Sequence, residues 1–229
     1  MIDLYSWPTP NGQKIHILLE ELDVPYTVHA INIGAGDQFA PDFLRICPNH
    51  RIPAIVDQDG PGGEPLALFE SGAILLYLAQ KHGALLPPDP AGSAIAVQWL
   101  MFQMGGLGPM LGQAHHFTQY APERVEYAIR RYTREADRLY GVLDRRLAEA
   151  RYLAGDAYSV ADIASYPWTL GHERQGVDIA EYANVRRWQA EIGERPAVAR
   201  GMAVLKDRTT QMDDAARDIL FGETQYQRR

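Results

Sequence analysis

Leu68-Phe69-Glu70-Ser71-Gly72-Ala73-Ile74-Leu75, read with Arg51-Ile52-Pro53-Ala54-Ile55 just upstream, decides how the first part of this chain folds. An apolar strand-like run ends at Glu70, and Ser71-Gly72 opens an amphipathic helical pattern that stops near His82-Gly83. A carboxylate, a hydroxyl and the unpaired backbone N–H groups of a helix start therefore converge. Such a junction suits a zwitterion. The N–H groups hold a carboxylate and Glu70 holds an ammonium beside it, as an α-amino-acid end group requires. The same residues also make an ordinary helix cap, and at this level both readings stand.

Upstream, residues 2–5 form a short apolar run, and Ile15, Leu18, Leu19 and Leu22 repeat at the spacing of a helix packed on a sheet. Tyr26, Val28 and Ala30 alternate with polar residues, as a half-buried strand does. Residues 54–56 and 66–69 are two strands around the turn-rich stretch 58–65, which suits an antiparallel hairpin. The order is βαβ, a loop with at most a short helix, then ββα.

Leu86-Pro87-Pro88-Asp89-Pro90 cannot continue a helix or a central strand and reads as a linker. Beyond it the chain looks helical. Val125, Ile129, Tyr132, Ala136, Leu139, Leu143 and Leu147 recur at steps of three and four, and Ser159-Val160-Ala161-Asp162 has the spacing of a near capping box. Gly105-Gly106 and Gly108-Pro109 interrupt the pattern, which predicts a kink or the close approach of another backbone. The expected architecture is α/β plus all-α, with a first domain over 1–86 and an all-helical second domain over 91–229. Residues 207–229 are polar, and their Ile219, Leu220, Phe221 and Tyr226 are able to dock at a place the pattern does not reveal.

With 229 residues, 46% hydrophobic and 22% charged, the chain has a globular composition. A net charge of -7 without a basic stripe argues against nucleic acid as a partner. The start lacks a basic region and a long apolar core, and the longest apolar stretch, 73–79, is far short of the roughly 20 residues of a membrane span. The expectation is a soluble cytoplasmic protein with no membrane partner. Cys47 is the only cysteine, so no internal disulfide forms and this polypeptide alone cannot carry dithiol chemistry. It is expected to be a bystander. His115-His116 lacks further ligands at metal spacing, and no metal is expected.

Tyr5-Ser6-Trp7-Pro8-Thr9-Pro10-Asn11-Gly12-Gln13 lies between the first strand and first helix, where it can aim Thr9, Asn11 and helix N–H groups at one point above the strand end. Thr9 or Asn11 could equally do no more than cap the helix. Loops at strand C-termini in α/β sheets are where ligands usually bind, which favours the functional reading. Ile52-Pro53 begins a strand, and a cis bond there would turn the Ile52 backbone outward to pair with an extended ligand.

Over residues 1 to about 205 the chain resembles a glutathione transferase. The resemblance lies in the βαβ start, Ile52-Pro53, Glu70-Ser71, the proline linker, and the helical second half with Ser159 and Asp162. Residues 5–14 with Thr9-Pro10-Asn11-Gly12, residues 34–38, 69–72, 105–110 and 127–132 look like the bacterial Nu class, whose members reduce disulfides with glutathione. The resemblance implies a thioredoxin-like first domain, a cis Ile52-Pro53 bond, and Ile52 backbone pairing with the cysteinyl unit of glutathione. Glu70 and Ser71 would hold the γ-glutamyl end, and Thr9 and Asn11 would sit beside the thiol as the catalytic pair. Gln38 and Arg51 would line the peptide, while Arg131 of the partner subunit would reach a glutathione carboxylate. Arg124, Arg131, Arg138 and Arg145 are spaced by sevens, so a solvated helix face explains Arg131 as well.

The implied function is reduction of small disulfides by a homodimer, with glutathione as co-substrate and oxidised glutathione as product. Conjugation of glutathione to electrophiles is the alternative among enzymes, and a transferase-like scaffold without turnover is the alternative outside them. The chain departs from cysteine-type members of the family in having no cysteine at the first strand-helix junction and no Cys-x-x-Cys.

Overall fold

The computed structural model describes all residues except Thr209, Gln211, Arg228 and Arg229, so those four positions of the 207–229 tail lie outside the described residues. The chain forms two compact units, one of Met1–Ile74 with Arg200–Arg229 and one of Leu75–Ala199.

In the first unit β1 (Ile2–Ser6), β2 (Tyr26–Ala30), β3 (Ala54–Asp57) and β4 (Leu66–Phe69) form one sheet in the order β2-β1-β3-β4. β2 runs parallel to β1, while β3 is antiparallel to both β1 and β4. Helix α1 (Pro10–Leu22) makes the parallel crossover. It starts because Thr9, in extended backbone, accepts the Gly12 N–H while Pro10 presets the first helical turn, and it ends at Asp23 in the left-handed conformation. Ile15, Leu18 and Leu19 on its inner stripe and Ile2, Leu4 and Ile55 on the sheet are buried. Each such side chain contributes roughly 1.5–3 kcal/mol on leaving water.

A Cβ at Gly12 would lie 2.0 Å from the Trp7 carbonyl oxygen, so only glycine lets α1 begin this close to the β1 loop. The short helix α2 (Pro41–Ile46) occupies the β2–β3 connection, and α3 (Ser71–His82) follows β4.

The second unit is helical, with α4 (Pro90–Phe102), α5 (Gly108–His115), α6 (Glu126–Glu149), α7 (Val160–Thr169) and α8 (Ala183–Gly193). The glycine interruption is a π-helical turn over Gln103–Leu107. Added Cβ atoms at Gly105 and Gly106 would meet nothing within 4 Å among the described residues, so within the chain described the interruption is a local change of helix type.

The expected capping box is present. Asp162 accepts from the Ser159 N–H at 3.0 Å, and its other oxygen accepts from the Leu153 N–H at 2.9 Å and Trp188 Nε1 at 2.8 Å. This fully buried carboxylate joins α7, α8 and the preceding loop.

Helix α9 (Pro196–Ala203) leads into the C-terminal segment of the first unit. Arg200 pairs with Glu20 at 2.6 Å, and a Cβ at Gly201 would lie 2.7 Å from the Ile17 backbone, so the chain packs directly on α1. Helices α10 (Asp214–Phe221) and α11 (Glu223–Tyr226) come last.

Candidate functional site

Strand register gathers the site. Tyr5 near the end of β1 pairs with Ala54 at the start of β3, and Ala54 pairs with Phe69 at the end of β4. Because β3 runs opposite to its neighbours, its entry lies at the sheet edge where β1 and β4 exit. The Thr9 loop, Ile52-Pro53 and Glu70-Ser71 therefore border one edge. The Ile52-Pro53 bond is cis.

Glu70 is exposed and holds φ at +70°, a conformation costly for a residue with a side chain and frequent where a site imposes geometry. Its carbonyl accepts the Ile74 N–H at 3.0 Å, which makes it the residue before the first turn of α3. Ser71 is 4% exposed, and its Oγ accepts from Lys14 Nζ at 3.2 Å.

Lys14 is itself 1% exposed. Burial pulls its pKa down to about 7, against an opposing pull from the Glu70 carboxylate. Two residues on, burial also lowers the His16 pKa to about 4, and His16 Nε2 lies 2.8 Å from Ser6 Oγ. Burial thus favours the uncharged form of both groups behind the sheet edge.

Thr9 caps α1 through Oγ1 at 3.3 Å from the Gly12 nitrogen, so the ordinary capping role is real whatever else the hydroxyl does. Asn11 stands half-buried in the first turn of the same helix. Gln38 is 1% exposed, and its Nε2 donates to the Ile33 carbonyl at 3.1 Å, while its buried Oε1 has no hydrogen-bond partner among the described residues.

Arg51 is exposed and reaches the C-terminal segment, donating to Gln225 Oε1 at 2.8 Å. Trp7 Nε1 likewise donates to Thr210 Oγ1 at 2.9 Å. These contacts show where the tail docks. Tyr226 stays exposed, while Gln225 beside it is buried.

Cys47 is fully buried with Phe43 and Ala54, and its Sγ donates to the Arg51 carbonyl at 3.2 Å. Arg131 lies in the other unit, exposed on α6, in a concavity of about 660 Å³ that Met110, Tyr127, Arg130 and Arg134 also line. No group of three or more His, Cys, Asp or Glu able to hold a metal occurs among the described residues. No helix among them is long and apolar enough to cross a membrane.

Lys14, Gln225 and Trp7 escape a reading of the sequence. Lys14 leaves one trace: it precedes Leu18 by four positions and so stands on the apolar stripe of α1. Gln225 leaves none.

A mixed four-stranded sheet with a cis-proline strand entry and a helix that starts at Glu70-Ser71 beside it, joined to a helical unit, defines a transferase of the glutathione type. Residues 1–80 match the family model "Glutathione S-transferase, N-terminal domain" and residues 106–196 match "Glutathione S-transferase, C-terminal domain", and the chain belongs to this family. It is 53% identical over 207 residues to the disulfide-bond oxidoreductase YfcG of Escherichia coli (strain K12), covering 90% of this chain and 95% of YfcG.

Among solved structures, a glutathione transferase from Burkholderia graminis with two glutathione molecules bound per subunit is 46% identical. It superposes with a TM-score of 0.86 over 90% of this chain and 89% of that one. One from Pseudomonas putida with a glutathione disulfide bound per subunit is also 46% identical, with a TM-score of 0.85 over 89% and 91%.

Proposed function

We propose that this protein is a glutathione-dependent disulfide-bond oxidoreductase of the Nu class, acting on small disulfides as a cytoplasmic homodimer with a glutathione-binding domain over 1–86 and a helical domain over 91–229. The likeness to YfcG along nine-tenths of the chain carries this reading. Glu70, Ser71 and the start of α3 hold the γ-glutamyl end, and the Ile52 backbone pairs with the cysteinyl unit. Gln38 and Arg51 line the peptide, Thr9 and Asn11 orient the sulfur, and Arg131 of the partner subunit meets a carboxylate.

The one cysteine is buried, so glutathione supplies both electrons. Its thiolate attacks one sulfur of the disulfide, forming a glutathione mixed disulfide and expelling the other sulfur as a thiolate, which takes a proton. A second glutathione thiolate attacks the glutathionyl sulfur and yields glutathione disulfide and the second thiol. The two bound glutathione molecules of the Burkholderia graminis protein match the occupancy such a sequence requires.

A free thiol of pKa about 8.5 is about 3% ionised at pH 7, and a two-unit depression would raise this to roughly 75%. A Brønsted coefficient of about 0.4–0.5 then removes about 6- to 10-fold of intrinsic nucleophilicity. The net gain is a few-fold, so alignment of the sulfurs contributes more than the pKa.

Assays of a small symmetrical disulfide and of an aryl halide, each with glutathione, test the proposal. Faster turnover of the disulfide is expected. Turnover of the halide alone would refute it.

A further inference from the structure

A buried lysine is expensive. Taking an ammonium out of water costs several kcal/mol unless a close charge and hydrogen bonds offset it, and a methionine of similar length would fill the same space at no such cost. Lys14 nevertheless lies 1% exposed, with Nζ at 3.2 Å from Ser71 Oγ, and the Glu70 carboxylate opposes its desolvation.

The two residues it addresses are the pair at the start of α3. A serine oxygen that accepts from an ammonium must turn its own proton away from that ammonium, because each hydroxyl has a single donor. The hydroxyl is thereby set as a donor on its other side. The first N–H groups of α3 lie next to it, and they point along the helix axis toward an arriving anion.

We propose that Lys14 is a positioning residue of the γ-glutamyl site, orienting the Ser71 hydroxyl toward the ligand α-carboxylate and supplying the positive charge that balances it. This rests on the glutathione reading above. Glu70 and Lys14 then divide the zwitterion: Glu70 answers the ammonium from the exposed side, and Lys14 answers the carboxylate through Ser71 from the buried side. The arrangement selects for a free α-amino-acid end group, since a ligand without the α-carboxylate forgoes both the Ser71 hydroxyl and the Lys14 charge behind it.

Calorimetric titration of the unaltered protein, Lys14→Met, Lys14→Gln and Lys14→Arg tests this with three ligands. They are glutathione, its analogue lacking the α-carboxylate (4-aminobutanoyl-Cys-Gly) and its analogue lacking the α-ammonium (glutaryl-Cys-Gly). Lys14→Met and Lys14→Gln should weaken glutathione and the glutaryl analogue by about 10- to 100-fold but the aminobutanoyl analogue by under about threefold, with partial rescue in Lys14→Arg. Equal weakening of all three ligands, or no weakening of glutathione, would overturn the role of Lys14 alone. If the unaltered protein binds none of them, the glutathione reading itself falls.

Discussion

Lys14 on α1 donates to Ser71 Oγ on α3 at 3.2 Å, joining two helix starts that are 57 residues apart in the chain. This contact places a titrating cation at the edge of the sheet where the cis Ile52-Pro53 bond and the strained Glu70 also lie. Its consequences divide between stability and binding.

The free protein should gain stability when this cation is removed. With a pKa of about 7 when folded and 10.5 as the ordinary value, the unfolded chain binds more protons at Lys14 between those limits, so stability rises with pH there. Lys14→Met should therefore stabilise the unliganded protein most at pH below 7, on the order of 2–4 kcal/mol, with the gain fading toward pH 10.5. Urea titrations at pH 6 and pH 9 measure both limits.

Ligand binding should take up a proton. A carboxylate arriving beside Ser71 raises the Lys14 pKa from about 7, so Kd is flat below that value and weakens as pH rises above it, by at most about tenfold per unit. Glu70 faces the same ammonium, while His16, held to about 4 by burial, stays neutral across this range. Titrating S-methylglutathione from pH 6 to 8.5 removes the thiol from the experiment. A Kd that stays constant across that range, or one that tightens as pH rises, would count against the coupling.

The catalytic pair should show itself in turnover. Thr9→Ala with Asn11→Ala should lower kcat/KM for the disulfide by about 10- to 100-fold, the scale of two lost orienting hydrogen bonds. Thr9→Ala alone also removes the cap at Gly12 and should cost about 1 kcal/mol of stability, so melting curves must accompany the kinetics. Unchanged turnover in the double variant would remove both residues from the mechanism.

Cys47→Ala should keep full disulfide turnover. The thiol is buried against Phe43 and Ala54, and losing it should cost about 1 kcal/mol in a urea melt through the small cavity it leaves. Lost activity in a folded Cys47→Ala variant would mean the protein supplies an exchanging sulfur, contrary to the proposed electron source.

In the second unit, Asp162→Ala should be among the most damaging single changes. It leaves the Leu153 N–H, Trp188 Nε1 and the Ser159 N–H without their buried acceptor, at about 3–5 kcal/mol. A urea melt followed by intrinsic tryptophan fluorescence, compared with the unaltered protein, measures the loss.

The strands, α1, α3, the capping box at Ser159 and Asp162 and the Glu70-Ser71 junction were all legible in the sequence, because each depends on neighbours within about four residues. Helix interruption at Gly105-Gly106 was legible too, although its form as a π-helical turn was not. Of the proposed site residues, Thr9, Asn11, Ile52, Glu70 and Ser71 come from local pattern joined to resemblance. The contact of Arg51 with Gln225, 174 residues away, has no local signature, since glutamine in a polar tail is ordinary. Lys14 was hidden for a related reason: a single lysine on an apolar stripe signals burial only once the packing against α3 is known.

Chain order and side-chain period thus settle which segments become strands and helices and where they start, because backbone sterics and capping act over a few bonds. Bringing Tyr5, Ala54 and Phe69 into one line across the sheet, and shutting Lys14 beneath Ser71, belongs to the tertiary structure alone. Strand register and burial are set by pairing between distant segments, and the local pattern of a segment does not carry the identity of its partner.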